Sequence, residues 1–519
     1  MREIKVKKIV VLGGGAAGWL SAVLLLHHQY EVTLIESKTI PTIGVGESIQ
    51  PFVTSYLGYC DLKQTDWMPH CNATYKYGTI FDGWSDKQFM VDSEASTFSL
   101  LDSTTYNSYN IHEAAIATGM SVKDFFDWCP PYQMAIHNKS PKFGKERLNY
   151  LHGNTTEPPN AVQWDNKYLR DYLHKVCIER GITHIQDEIL SANLDYEECI
   201  TDIVTREHGN ISGDIFIDCT GFNSVLLEKI YNIPWASAED MLPNNNAVTI
   251  RKKYTNPQQE CHPYTRSTAM DSGWMWTIPT YNDIAYGYVY SDKYISKDDA
   301  EQELRTKINE WDASAKHVPF RVGVRERIAH KNVISAGLAA GFLEPLEATN
   351  LSFTCIILGD LHELLQETDN VYIEQYGPLL NKKFHSLVFE IINFVFMHYK
   401  ASTKNDTVYW QDAQARPIPD ICKSVYDAAV NGPMSQIELH DIILQDTPRW
   451  RQSTPMFTAG HWWQLLRGSG WYDNVKKTYS DDFIKYSKMV LDVHRHRTDK
   501  VLEFFPNHYD FLKEWYEFS

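Results

Sequence analysis

One short run of glycines decides most of what this chain can be. Gly13-Gly14-Gly15-Ala16-Ala17-Gly18 follows the apolar stretch Ile4 to Leu12 and leads into a helix-like segment, Ala17 to Leu26; a second apolar strand follows at Glu31 to Ile35. That order predicts a βαβ unit with parallel strands. Glycines in such a turn allow a tight bend, let the backbone approach a pyrophosphate, and let helix and strand pack closely, while the helix N-terminus favours negative charge. Glu36, closing the second strand, is placed to accept hydrogen bonds from a ribose. The unit predicts an adenine dinucleotide site contacted by Gly13, Gly15, Ala16, Gly18 and Glu36.

Composition bounds the rest. With 519 residues, 43% hydrophobic and 22% charged, the chain is neither disordered nor low in complexity and can bury a large core. A net charge of −17 excludes nucleic acid or anionic lipid as the main partner. The apolar run Ile9 to Leu26 is broken by three glycines and ends at His27 and His28, so it suits a strand, turn and helix and not a membrane span; no secretory signal is expected. Nine cysteines without a C-x-x-C pair point to structural thiols in a reduced cytoplasm, and neither they nor the 20 histidines show metal-ligand spacing.

Further along, Gly213 to Phe222 (GDIFIDCTGF) is a nearly continuous apolar strand ending in a glycine turn, as expected of a buried central strand. The stretches AVTIRKKY, GWMWTIPT and IAYGYVYS between 245 and 295 predict antiparallel strands of a second sheet. From about Asn350 onward helical periodicity dominates. The glycine fingerprint does not choose between NAD and FAD. FAD is favoured by Gly213 to Gly221 and by Ile334 to Asn350, whose small residues would let a backbone run against a flavin ring. The expected fold is therefore α/β, of the FAD-dependent monooxygenase type, with residues 1–400 holding the cofactor and substrate sheet and a mainly helical region, 401–519, packing over the substrate pocket. No second G-x-G-x-x-G unit for a nicotinamide cofactor is visible.

At Gly273 to Pro279 the sequence reads GWMWTIP, and this segment, with Trp274, Trp276 and Pro279, resembles the W-x-W-x-I-P motif of flavin-dependent halogenases. Four other segments match in family order: IGVGES (Ile43 to Ser48), NATYK (Asn72 to Lys76), FLEPLEAT (Phe342 to Thr349) and NDTVYW (Asn405 to Trp410). The resemblance implies an enzyme that uses FAD as FADH2, supplied by a separate diffusing flavin reductase, with dioxygen and a halide ion, to form hypohalous acid. That acid reaches a lysine beside a small aromatic substrate. Carried over to this chain, the lysine is Lys76, which would hydrogen-bond the acid or form a haloamine. The carboxylate that orients the electrophile and takes the ring proton is Glu347. The resemblance extends the expected cofactor contacts to Gly46, Ile189, Leu338 and Leu351.

The halide is expected on the backbone amides of Thr349 and Asn350, since amides hold an anion without reorganising a side chain. Here the family commonly has Ser-Thr-Gly, whereas this chain has Ala348-Thr349-Asn350. Asn tolerates left-handed backbone, so the amide pair is expected to survive at Asn350, in an altered pocket favouring bromide or iodide. Tryptophan halogenases carry an H-x-F segment after the lysine; none occurs between Lys76 and Ile111, which argues for an electron-rich arene, phenol or indole and against free tryptophan. The aromatics of Gly460 to Asp473 fit either a stacking pocket or a helix core. Two other readings compete: a flavin hydroxylase delivering oxygen directly, and a flavin-binding protein that lost halogenation through Ala348 and Asn350.

Overall fold

The computed structural model describes residues 7–40, 44, 46–93, 111–142, 161–367, 373–430, 432, 438–439, 441–442, 456–474 and 478–518. The polar segment after Lys76 that bears on substrate identity falls mostly outside them, at 94–110. Contacts divide the chain into two units. One comprises Met1–Asn72, Trp164–Asp240 and Arg321–Val388; the other Ala73–Gln163, Met241–Phe320 and Phe389–Ser519. This division differs from a cut at residue 400. The chain leaves and re-enters each unit, so residues 401–519 share a unit with two earlier segments, a pairing that sequence order does not express.

The first unit is built on the expected βαβ. Strand β1 (Lys8–Leu12), helix α1 (Ala16–His27) and strand β2 (Glu31–Glu36) open a six-stranded sheet, in which β1 pairs in parallel with both β2 and Ile215–Asp218. Val333–Ser335 and Thr183–Gln186 extend it in parallel on either side, and Ala329–His330 closes one edge antiparallel. Such strands are covered on both faces, which is why β1 and Ile215–Asp218 read as unbroken apolar runs. Helix α1 buries every residue from Gly18 to Leu25, as a helix apolar all round must. Ile189–Leu194, Ile200–Thr205 and Gly209–Ser212 form a separate three-stranded antiparallel sheet.

The second unit carries the expected antiparallel sheet, now of seven strands: Ala315–Pro319, Asn246–Lys252, Ile284–Tyr290, Gly273–Pro279, Thr265–Met270, Gly78–Asp82 and Phe89–Asp92. Thr265–Met270 and Gly78–Asp82 run parallel; the other pairs are antiparallel. Helix Lys297–Ile308 seals one face through Ala300, Leu304 and Ile308, which join Val248, Ile250, Met275 and Tyr288 in one core. Beyond residue 401 the described elements are helical. Helix Ala459–Gly468 is buried along its whole length, and Trp462 packs edge-on to Phe394 at 5.1 Å between ring centroids. The aromatics at Trp462 and Trp463 are thus helix core.

All nine cysteines are buried free thiols. Among the described residues no helix is long and apolar enough to cross a membrane.

Four histidines, His28, His262, His461 and His508, are each pushed down to about 4, burial being the largest cause. An exposed imidazole titrates near 6.5, so between that value and about 4 the unfolded chain takes up protons that the folded chain refuses. Stability is therefore expected to be insensitive to these groups above about pH 7 and to fall steadily as pH drops from 6.5 to 4. Urea midpoints measured across that range check this; a midpoint that rises on acidification would contradict it.

Candidate active site

The glycine turn is shaped by what presses on it. Gly13 adopts φ 105° and its amide donates to the Ile35 carbonyl at 2.8 Å. A Cβ there would lie 2.2 Å from the Cys219 carbonyl oxygen, and one on Gly14 would strike the Glu36 carboxylate. A Cβ on Gly15, in contrast, meets nothing within 4 Å, and the first turn of α1 has neither a side-chain cap nor an acidic residue. The open side of the turn thus joins uncapped helix amides beginning at Ala16, the arrangement a pyrophosphate requires, and an adenine dinucleotide fits it.

Glu36 is 8% exposed and already engaged: its two oxygens accept from Arg170 Nη2 at 3.0 and 3.1 Å, and one faces His184 Nε2 at 2.9 Å. Arg170 Nε also reaches the Gly14 carbonyl, at 3.4 Å. The acid expected to hold a ribose is therefore also the anchor of its own loop. Asp218, fully buried, is spent internally, accepting from Thr220 and from the amides of Leu226 and Leu227. Leu338 sits in a short turn, Gly337–Ala339, set against Ala17. Ile189 packs on the apolar cluster of Leu12 and Ile35. Gly46 opens a short strand, Gly46–Ile49, in which burial pushes the Glu47 carboxyl up to about 7.

In the same unit, Pro345–Glu347 forms a single tight turn and an 18-residue helix begins at Asn350. Glu347 is 2% exposed. The left-handed residue between them is Ala348, at φ 56° and ψ 38°, so the tolerance of Asn350 for that geometry is not called on. Asn350 lies inside the helix, and its side chain turns back to bracket Leu343, accepting from that residue's amide at 3.3 Å and donating to its carbonyl at 3.1 Å. Its backbone amide stays in the helix's first turn, where amides lack intrahelical acceptors. The hydroxyls of Thr349 and Ser352 beside it are buried without a hydrogen-bond partner. First-turn amides and orphaned hydroxyls suit a small anion. Leu351, partly buried, follows on the same turn.

The second unit holds Lys76 on strand Thr74–Lys76, buried along its length, with Lys76 3% exposed. This strand pairs with Ala161–Gln163, and Thr74 Oγ1 donates to the Pro279 carbonyl at 2.7 Å, tying it to the end of the GWMWTIP strand. The Tyr75 amide donates to His508 Nε2 at 3.2 Å, while His508 Nδ1 donates to the Cys261 carbonyl at 3.0 Å. A neutral imidazole, kept so by burial, serves both bonds. Trp274 and Trp276 are 2% and 8% exposed, their rings 6.1 Å apart, and Trp276 lies over Gly287, where a Cβ would collide with the indole.

The chain resembles known proteins over most of its length. The sequence model of the tryptophan halogenase family matches residues 8–482. The chain is a member of the flavin-dependent halogenase family. Tryptophan 6-halogenase SttH of Streptomyces toxytricini is 32% identical over 438 residues, covering 80% of this chain and 82% of the relative. Tryptophan 7-halogenase RebH of Lentzea aerocolonigenes is 27% identical over 465 residues, covering 83% and 84%. The crystal structure of SttH superposes with a TM-score of 0.85 and 28% identity over 98% of this chain and 100% of that one. This halogenase is accordingly an enzyme of the oxidoreductase class with the α/β fold of its relatives, and its family is flavin-dependent.

Gln50, Arg170 and His508 were not foreseen from sequence. Each acts on a partner more than a hundred positions away, and only the proline after Gln50 marks it locally.

Left-handed geometry at a residue bearing a Cβ costs roughly 1–2 kcal/mol. Ala348→Gly is therefore expected to hold or raise stability, by up to about 1 kcal/mol, and Ala348→Val to lower it. Thermal unfolding of the two variants checks the sign; a stabilised Ala348→Val protein would refute the left-handed turn. Gly13→Ala should destabilise by about 2–4 kcal/mol and Gly15→Ala by less than about 1. Equal losses from the two would show that the open side of the turn is misassigned.

Proposed function

We propose that this halogenase uses FADH2, dioxygen and a halide to halogenate a carbon of an electron-rich arene, an indole, phenol or similar ring, with Lys76 as the relay and Glu347 as the proton acceptor. The observation that carries this reading is the burial of both groups. A lysine and a glutamate taken singly are solvent residues, yet here they are 3% and 2% exposed. Burying such groups is costly and is retained where chemistry requires it.

Bound FAD would supply the oxygen chemistry that turns a halide into hypohalous acid. Gly13, Gly15, Ala16 and Gly18 would hold its pyrophosphate side, with Gly46, Ile189, Leu338 and Leu351 as further contacts. The amides of Thr349 and Asn350 would hold the halide. Lys76 then holds the electrophile by hydrogen bond or as a haloamine, away from bulk water that would consume it. Glu347 orients the electrophile and removes the ring proton once halogen has added. Trp274, Trp276 and Pro279 support this through the strand beneath Lys76, since Pro279 accepts the bond from Thr74. A separate reductase supplies the reduced flavin, in the cytoplasm. Retention of the Asn350 amide in the helix's first turn favours a working halide site over a lost one. Bromide or iodide is the preferred halide, because weaker hydration lowers the cost of entering a buried pocket.

Lys76→Ala is expected to abolish halogenated product, a loss of at least about 100-fold, while FAD affinity stays within about two-fold. Product assays beside flavin titration check this, and a variant that loses FAD binding along with product would contradict the role. Competition at equal chloride, bromide and iodide should yield mainly brominated or iodinated product; a clear excess of the chlorinated one would refute the preference.

A further inference from the structure

We propose that Gln50 is a positioning residue for halogenation: through the Glu347 carbonyl it sets the aim of the Thr349 and Asn350 amides, placing halide affinity under the control of the segment 46–50. This rests on the reading that the halide binds at Thr349 and Asn350.

Gln50 is well placed for the task. It precedes Pro51, which restricts it to extended backbone, and it has φ −77° and ψ 155°. Its own carbonyl accepts the Val53 amide at 3.1 Å as helix Pro51–Tyr59 begins. The side chain thus leaves a fixed stem, and its Nε2 donates to the Glu347 carbonyl at 2.9 Å. A second tether joins the far end of helix Pro51–Tyr59 to helix Asn350–Glu367, where Tyr59 Oη lies 3.1 Å from His362 Nε2. The helix Pro51–Tyr59 is therefore tethered at both ends to the stretch Glu347–His362.

The turn between Glu347 and Asn350 needs such a restraint. On one side it is held by Asn350, bracketing Leu343; on the other by Gln50. Between them Ala348 is left-handed, a conformation that an alanine leaves when released. The cost of that conformation and the contribution of one hydrogen bond are of the same order, so losing the Gln50 donor is enough to let the turn relax. Relaxation would rotate the peptides that follow Glu347, where the anion-binding amides lie. FAD binding, which rests mainly on the glycine turn and meets this stretch only through Leu351, would change much less.

The test uses FAD-loaded protein with bromide as probe. Gln50→Met keeps the chain length and removes the donor; Gln50→Lys restores a donor. Calorimetric bromide binding and the bromide KM are expected to weaken about ten-fold in Gln50→Met, the change that loss of one hydrogen bond produces. The kcat should fall less than about three-fold, FAD affinity less than about two-fold, and Gln50→Lys should recover most of the loss. Should Gln50→Met not fold, Gln50→Glu also removes the donor and is expected to show the same split. Unchanged bromide affinity in a folded variant overturns the proposal. So does a loss shared equally by bromide and FAD that Gln50→Lys does not rescue, since that marks a merely structural role. Bromine anomalous scattering from wild-type crystals separates the two levels: absence of bromide at Thr349 and Asn350 overturns the halide site itself, whereas its presence with no effect of Gln50→Met overturns Gln50 alone.

Discussion

The Cys219 carbonyl is pressed so closely on Gly13 that no side chain can stand between them. Because strands β1 and Ile215–Asp218 are parallel neighbours, their carboxyl ends lie side by side, and both chains must turn away there. Glycine at 13 allows it; Asp218 fixes the other chain by taking the amides of Leu226 and Leu227. The N-terminus of α1 is consequently aimed across the strand ends, which is where open parallel sheets bind nucleotides. Glu36, clamped by Arg170 and His184, holds the turn from the other side.

The turn at Glu347 shows a different economy. A glycine at position 348 would adopt the left-handed backbone freely, yet this chain has alanine there and carries the strain. Asparagine at 350 compensates by hydrogen-bonding both polar groups of Leu343, a task for which its side chain has the right donor and acceptor. The strained residue and the bonds that restrain its neighbours thus lie within one short turn.

Much of the first unit was legible because its signals are local. An apolar run, a glycine turn and a helix of matching length occur within thirty residues, and the aromatic alternation of the second sheet is equally self-contained. The candidate chemistry at Lys76 and Glu347 was legible only through resemblance, since neither residue carries a local mark of burial. What stayed hidden depends on contacts remote in sequence. Arg170 reaching Glu36, His508 holding Tyr75 and Gln50 holding Glu347 leave no periodic trace. The left-handed residue, Ala348, was also hidden, because alanine carries no local sign of that geometry, and the tolerance of Asn for it is not used at Asn350, which lies in the helix. The division into two units was hidden for a related reason, as each is assembled from segments that alternate along the chain.

The central claim is that the oxidised atom delivered to the arene is halogen and not oxygen. Mass spectrometry of products formed from an indole and phenol panel, with bromide, a flavin reductase and isotopically labelled dioxygen, tests it most directly. A product bearing the paired bromine isotope pattern and no labelled oxygen is the predicted result. A product carrying the labelled oxygen atom and no bromine would contradict it and identify a hydroxylase.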